Sequence, residues 1–191
     1  MILGVTGTIG AGKSTVCSLL KEKGVPVVDA DKIGHRVLTY PAVKEKIKEN
    51  FGDVFTEGEV DRKKLAQKVF SNKYNIYILN NITHPIIKEE IIKECQTLEK
   101  DHPLVACEVP LLYECGWERL FNKILVVYIS KEETIKRLIK RGMTEKDALL
   151  RYENQMSPEK KVKKADFVIS NEENLEKLAL KVAQFLQLVI K

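Results

Sequence analysis

The chain has little that would tie it to a membrane, a structural metal or a disulfide framework. No apolar run in its 191 residues approaches the ~20 needed to span a bilayer. The N-terminus lacks a basic segment followed by an apolar signal region, because a glycine-rich motif already begins at residue 7. These two absences predict a cytoplasmic protein. The four cysteines, at 17, 95, 107 and 115, form no C-x-x-C pair and no zinc-finger spacing. They read as buried thiols. The three histidines, 35, 84 and 102, form no H-x-x-x-H pattern, which argues against a structural metal site. Internal repeats and low-complexity linkers are absent too. The charge excess is small, +5 from 32 basic and 27 acidic residues. It suits a polyanionic ligand, but acids and bases alternate along the helical stretches as on solvated faces, so charge alone decides nothing.

What is present is concentrated near the start. Gly7-Thr-Ile-Gly-Ala-Gly-Lys-Ser14 fits the phosphate-binding template G-x-x-x-x-G-K-[ST] without a mismatch. Chance alone would place that pattern in about one chain in a hundred of this length. An apolar run, Ile2 to Val5, precedes it as a strand, and Thr15 to Lys21 follows as a helix. Between them the backbone N–H groups of Gly10, Ala11, Gly12, Lys13, Ser14 and Thr15 are predicted to face an anion, helped by the helix dipole. Lys13 is expected to reach the β- and γ-phosphates, and the Ser14 hydroxyl to ligate Mg²⁺.

In order, the chain reads as a single α/β domain. Gly24 stops the first helix, and Val25 to Val28 is a second strand ending in Asp29-Ala-Asp31. Strand, helix and strand make a right-handed βαβ unit, so the acids emerge on the same edge as the phosphate loop. Residues 32–100 look helical and insertion-like. They comprise a helix at Val43–Phe51, a turn-rich loop over Gly52–Val60, and a helix at Asp61–Phe70 capped by Asp61. A long helix over Ile76–Glu99 is expected to break or kink at Pro85. Leu104–Val109, Lys123–Ile129 and Asp166–Ser170 are further strands. Helices are predicted at Lys131–Arg141, Thr144–Met156 and Asn174–Ile190. Five short apolar strands between helices give an α/β sheet with helices on both faces.

A phosphate loop names a nucleotide, not a reaction. A guanine-reading switch would need N-K-x-D, and both Asn72-Lys-Tyr-Asn75 and Asn122-Lys-Ile-Leu125 lack the final acid. An ATPase coupled to a larger machine would want a longer chain. A kinase needs a carboxylate near the γ-phosphate and cationic clamps. Asp31 meets the first need by position, with a helix N-cap as its ordinary alternative. Arg137 and Arg141 lie four apart on one predicted helical face, and Arg151 and Gln155 repeat the spacing. They read equally as a lid over phosphates or a solvated basic helix. Glu108, ending the third strand, could hold Mg²⁺ through water or have no role. His84 could contact a phosphate or cap a kinked helix.

Over essentially its whole length the chain resembles the dephospho-CoA kinase family. The matching blocks are Val5–Thr15, Val28-Asp-Ala-Asp31 with Ile33 and His35, Phe51-Gly52 with Val60–Leu65, and Ile82-Thr-His-Pro85. Further along come Val109–Glu114, Arg137–Arg141 with Arg151 and Gln155, and Ala165–Asn171. The resemblance implies one P-loop kinase domain, 1–191, with parallel strand order 2-3-1-4-5. Its core would be 1–31, 104–136 and 166–191, its α-helical CoA-binding insertion 32–103 and its lid 137–165. The implied reaction uses ATP with Mg²⁺ to phosphorylate the ribose 3′-hydroxyl of dephospho-CoA. Nucleic acid, membrane or an obligatory protein partner are not implied. By matching position Asp31 would be the general base and Arg137 a transition-state clamp. Arg141 and Asn171 would serve the nucleotide. Thr6, Arg62, His84, Pro110, Leu111 and Leu112 would face the acceptor. Thr134 departs from a glutamine frequent in the family's lid. A nucleoside or nucleotide kinase of the same architecture is the alternative enzyme, and a nucleotide-gated binding module the alternative without turnover.

Overall fold

The computed structural model describes residues 1–190. From the N-terminus come β1 (Ile2–Gly7), α1 (Lys13–Glu22), β2 (Val27–Asp29), α2 (Ala30–Val37) and α3 (Pro41–Phe51). Next are β3 (Phe55–Thr56), β4 (Glu59–Val60), α4 (Arg62–Phe70) and the long α5 (Lys73–Glu99). The chain then forms β5 (Val105–Glu108), a 3₁₀ turn at Glu118–Leu120, β6 (Lys123–Tyr128), α6 (Lys131–Lys140) and α7 (Glu145–Glu153). It closes with α8 (Pro158–Lys164), β7 (Phe167–Ser170) and α9 (Leu175–Val189). Two compact units result, one of Met1–Asp29 with the chain from Glu94 onward, the other of Ala30–Lys93.

The first unit is built on a five-stranded sheet in the order β2-β5-β1-β6-β7, with every pair parallel. Counting only its own strands along the chain, that order is 2-3-1-4-5, as the resemblance implies. Strands of such sheets read as continuous apolar runs because both faces are covered. In β1, residues 3 to 7 are all buried, whichever way they point. One face packs Leu3, Val5, Leu125 and Val127 against Val16 and Leu20 of α1 and Val182 and Phe185 of α9. Phe185 meets Phe167 of β7 edge-on, with centroids 5.2 Å apart. On the other face a Cβ built on Gly4 would fall 2.8 Å from Leu112 and 2.9 Å from Phe121. The loop after β5 therefore lies directly on the sheet.

The second unit holds α2, α3, the β3–β4 hairpin, α4 and most of α5. Asp61 caps α4, its side chain accepting from the backbone N–H of Lys63 and Lys64. Val43, Ile47, Phe51, Leu65 and Val69 are buried.

Several expectations shift. The second strand starts at Val27, two residues late, because Val25 N–H bonds the Leu20 carbonyl and Gly24 N–H that of Lys21. Those bonds belong to the end of α1. The stretch Gly52–Val60 contains a hairpin, turned by Glu57 and Gly58, both at positive φ. Two such residues are what a tight two-residue hairpin turn demands. The break allowed for at Pro85 does not occur: α5 runs through the proline, and it begins three residues earlier than expected. Proline there forfeits the N–H bond to Asn81, while Thr83 Oγ1 donates to the Leu79 carbonyl at 2.8 Å. Helix α6 stops at Lys140 because Gly142 is left-handed, which puts Arg141 past its last turn. Helix α8 was not anticipated at all. Its signal was in the sequence, since Ser157 caps it and Pro158 fills its first position.

Candidate active site

The phosphate loop joins the carboxyl end of β1, a central strand, to α1. Close approach dictates its glycines. A Cβ on Gly7 would lie 2.4 Å from the Val127 carbonyl oxygen, and one on Gly12 2.2 Å from Asn171 Nδ2. Gly12 also sits at φ 89°, a left-handed N-cap that offers no side chain to the first N–H groups of α1. The first turn of α1 carries no acid. Its N–H groups and dipole are thus left to an anion. Lys13 Nζ donates to the carbonyls of Gly7 and Thr8 at 3.2 and 3.0 Å. The Thr8 hydroxyl is buried without a hydrogen-bond partner among the described residues.

Carboxylates meet this loop on the same sheet edge. Ser14 Oγ donates to Glu108 Oε1 at 3.0 Å, joining the end of the loop to the end of β5. Glu108 is the register partner of Asp29, the last residue of β2. Burial pushes the Cys17 thiol far up, and the negative charge of Glu108 adds to it. Two hard oxygens beside a helix N-terminus fit Mg²⁺ better than a softer ion. Among the described residues no group of three or more His, Cys, Asp or Glu could hold a metal by itself. An ion here would need oxygens from the nucleotide. Asp31 follows Asp29 by two residues and lies in the first turn of α2, where the helix dipole favours a carboxylate.

The predicted lid residues separate into distinct roles. Arg137 Nε donates to Glu133 Oε1 at 2.8 Å and Nη2 to the Asn171 carbonyl at 2.6 Å, so its guanidinium plane is fixed. Asn171, expected at the nucleotide, is buried, and its Nδ2 donates to the Ala11 carbonyl at 2.8 Å. It braces the loop from behind. Arg141 and Arg151 are exposed. Gln155 lies beyond the end of α7, and its Oε1 accepts from the Ile9 N–H of the loop at 2.8 Å. Thr134 is fully buried, its hydroxyl bound to the Ser130 carbonyl.

Of the residues assigned to the acceptor, Leu111 is exposed and Leu112 buried. Thr6 is fully buried, and its hydroxyl donates to the Pro110 carbonyl at 3.2 Å. Lys161 of α8 donates to that same carbonyl and pairs with Glu114. Residue-type patterns gave no hint of this, since only the fold brings α8 to the loop. In the second unit, Arg62 lines an open cleft of about 890 Å³ with His35, Leu38, Lys63, Phe70 and Leu79. His84 lies inside α5, which removes a role as the cap of a kinked helix. Burial, and then the charge of Lys88, lowers its pKa.

Comparison with known proteins bears on these features together. A family model described as dephospho-CoA kinase matches residues 1–177. The chain belongs to the dephospho-CoA kinase family. Membership makes it a kinase, an enzyme of phosphoryl transfer. A dephospho-CoA kinase of Carboxydothermus hydrogenoformans is 40% identical over 192 residues, covering 97% of this chain and 93% of the relative. Among solved structures, a Thermus thermophilus protein superposes with a TM-score of 0.86 at 35% identity, over 99% of this chain and 97% of its own. The dephospho-CoA kinase of Campylobacter jejuni gives 0.76 at 31% identity, over 97% and 95%.

Proposed function

We propose that the protein transfers the γ-phosphate of ATP to the ribose 3′-hydroxyl of dephospho-CoA, completing coenzyme A. One observation carries this reading: the Ser14–Glu108 hydrogen bond sets a hydroxyl and a carboxylate beside an open helix N-terminus. That is the donor set for a triphosphate and its cation. Family membership supplies the acceptor.

Each residue then has a task. The loop from Gly10 to Thr15 cradles the phosphates, and Lys13 exchanges its carbonyl partners for phosphate oxygens. Ser14, with Glu108 through water, would hold Mg²⁺, which when bound spreads the negative charge of the transferring group. Arg137, its plane already set by Glu133 and Asn171, offers its remaining donors to the γ-phosphate. Arg141 assists from the end of α6. Asp31 accepts the proton of the ribose hydroxyl. For the acceptor we assign Arg62 and the cleft it lines, His84, and the Pro110–Leu112 segment, which Thr6 anchors. In this reading 32–103 takes the acceptor and 137–165 acts as the lid of a single domain. None of the four cysteines forms a disulfide, which suits a reducing cytoplasm.

The test is product formation from a panel of dephospho-CoA, nucleosides and nucleoside monophosphates with ATP and Mg²⁺. Phosphorylation of dephospho-CoA alone is expected, and turnover of a nucleoside instead would overturn the assignment. In the same assay Asp31→Asn is expected to lower kcat by about 10²–10⁴-fold with little change in acceptor KM. A loss under tenfold would return Asp31 to its place as an acid in the first turn of α2.

A further inference from the structure

Lys161 is a charged side chain with no exposure at all. Its ammonium lies 2.9 Å from Glu114 Oε1 and 3.1 Å from Oε2, and donates to the Pro110 carbonyl at 3.2 Å. Thr6 Oγ1, from the end of β1, donates to that carbonyl at the same distance. Glu114 Oε1 also accepts the backbone N–H of Met156 at 2.9 Å. Its neighbour Gln155 holds the Ile9 N–H of the phosphate loop. Two adjacent residues between α7 and α8 therefore grip the phosphate loop and the loop after β5 at once.

Stability is a poor explanation for such a pair. Removing two charges from water is costly, and apolar residues of similar volume often serve a fold as well or better. What an apolar pair cannot do is aim a carbonyl. Two donors from different elements, the Thr6 hydroxyl and the Lys161 ammonium, converge on the Pro110 oxygen and fix the plane of the peptide it belongs to.

We propose that Lys161, with Glu114, is a positioning residue for the acceptor. It fixes the Pro110 carbonyl, and with it the Pro110–Leu112 segment, in register with the phosphate loop. The proposal rests on the reading of that segment as part of the acceptor site.

The experiment compares Lys161→Met, Glu114→Gln and the charge-balanced double variant with the wild type, reading kcat and both KM values, with thermal unfolding as control. A rise of about tenfold or more in the dephospho-CoA KM is expected in Lys161→Met and the double variant, with the ATP KM within about threefold. A dephospho-CoA KM within about twofold of wild type in the folded double variant would overturn the proposal, as would an equal rise of both constants. If Lys161→Met fails to fold, the double variant decides. A wild type that phosphorylates another panel member overturns the dephospho-CoA reading alone, and the KM for that acceptor then judges Lys161. A wild type that phosphorylates none overturns both.

Discussion

At Gly12 two independent constraints meet: a left-handed backbone, and an asparagine amide 2.2 Å from where a Cβ would stand. The Asn171 amide is not a flexible tip that can step aside, because it is buried and bonded to Ala11. Gly12→Ala should therefore displace the loop as well as strain it. Loss of detectable ATP binding by calorimetry, with the far-UV circular dichroism of the fold retained, is the expected result. Unchanged ATP affinity would show that the loop tolerates the displacement. The loop was legible in the sequence because its chemistry lies in contiguous residues, each with a conformational reason to be there. Asn171 as a brace and Lys161 as a buried cation were not, since each owes its role to a partner more than forty residues away.

Elements with strong local signals were readable for the same reason. Asp61 caps α4 as its position in the sequence predicts, and Asn174, expected as the first residue of the last helix, is the cap of α9. Helix α5 misled because proline is a local signal and the outcome is set by the whole helix. Over 27 residues one missing hydrogen bond does not outweigh the rest. His84 lies inside that helix beside Pro85, and it gives α5 a pH dependence. Burial and Lys88 hold its pKa below the ordinary 6.5, so the unfolded chain binds the proton more readily than the folded one. Stability from this source is complete above pH 6.5 and is lost as pH falls from there through the lower folded value. His84→Gln should flatten the acid limb of a stability profile between neutrality and the onset of carboxylate titration, as measured by urea unfolding at several pH values. An acid limb as steep as that of the wild type would place the proton uptake elsewhere.

For the molecule as a whole, strand order decides what the chemistry can be. With β1 between β5 and β6, the sheet gathers a phosphate loop and the carboxylates of Glu108 and Asp29 on one edge. The strands could be read from their apolar runs, but their order came from resemblance, because periodicity does not say which strands are neighbours. The end of the second unit within α5 was not legible either, as an unbroken helix gives no boundary in its sequence. Acids beside a polyphosphate site repel an uncompensated nucleotide. ATP with Mg²⁺ should therefore raise the melting temperature more than ATP with EDTA, since ligand stabilisation follows affinity. Glu108→Gln should shrink that difference, and an equal shift with and without the cation would exclude Glu108 and Ser14 from metal binding.

Lys13 rests on the carbonyls of its own loop. Its ammonium spans the turn and ties the residue that opens α1 to the two carbonyls where β1 ends and the loop begins. Under the function proposed above, nucleotide binding trades those two hydrogen bonds for contacts to phosphate. The affinity would then report the difference between the two sets of contacts, not the full strength of the new ones.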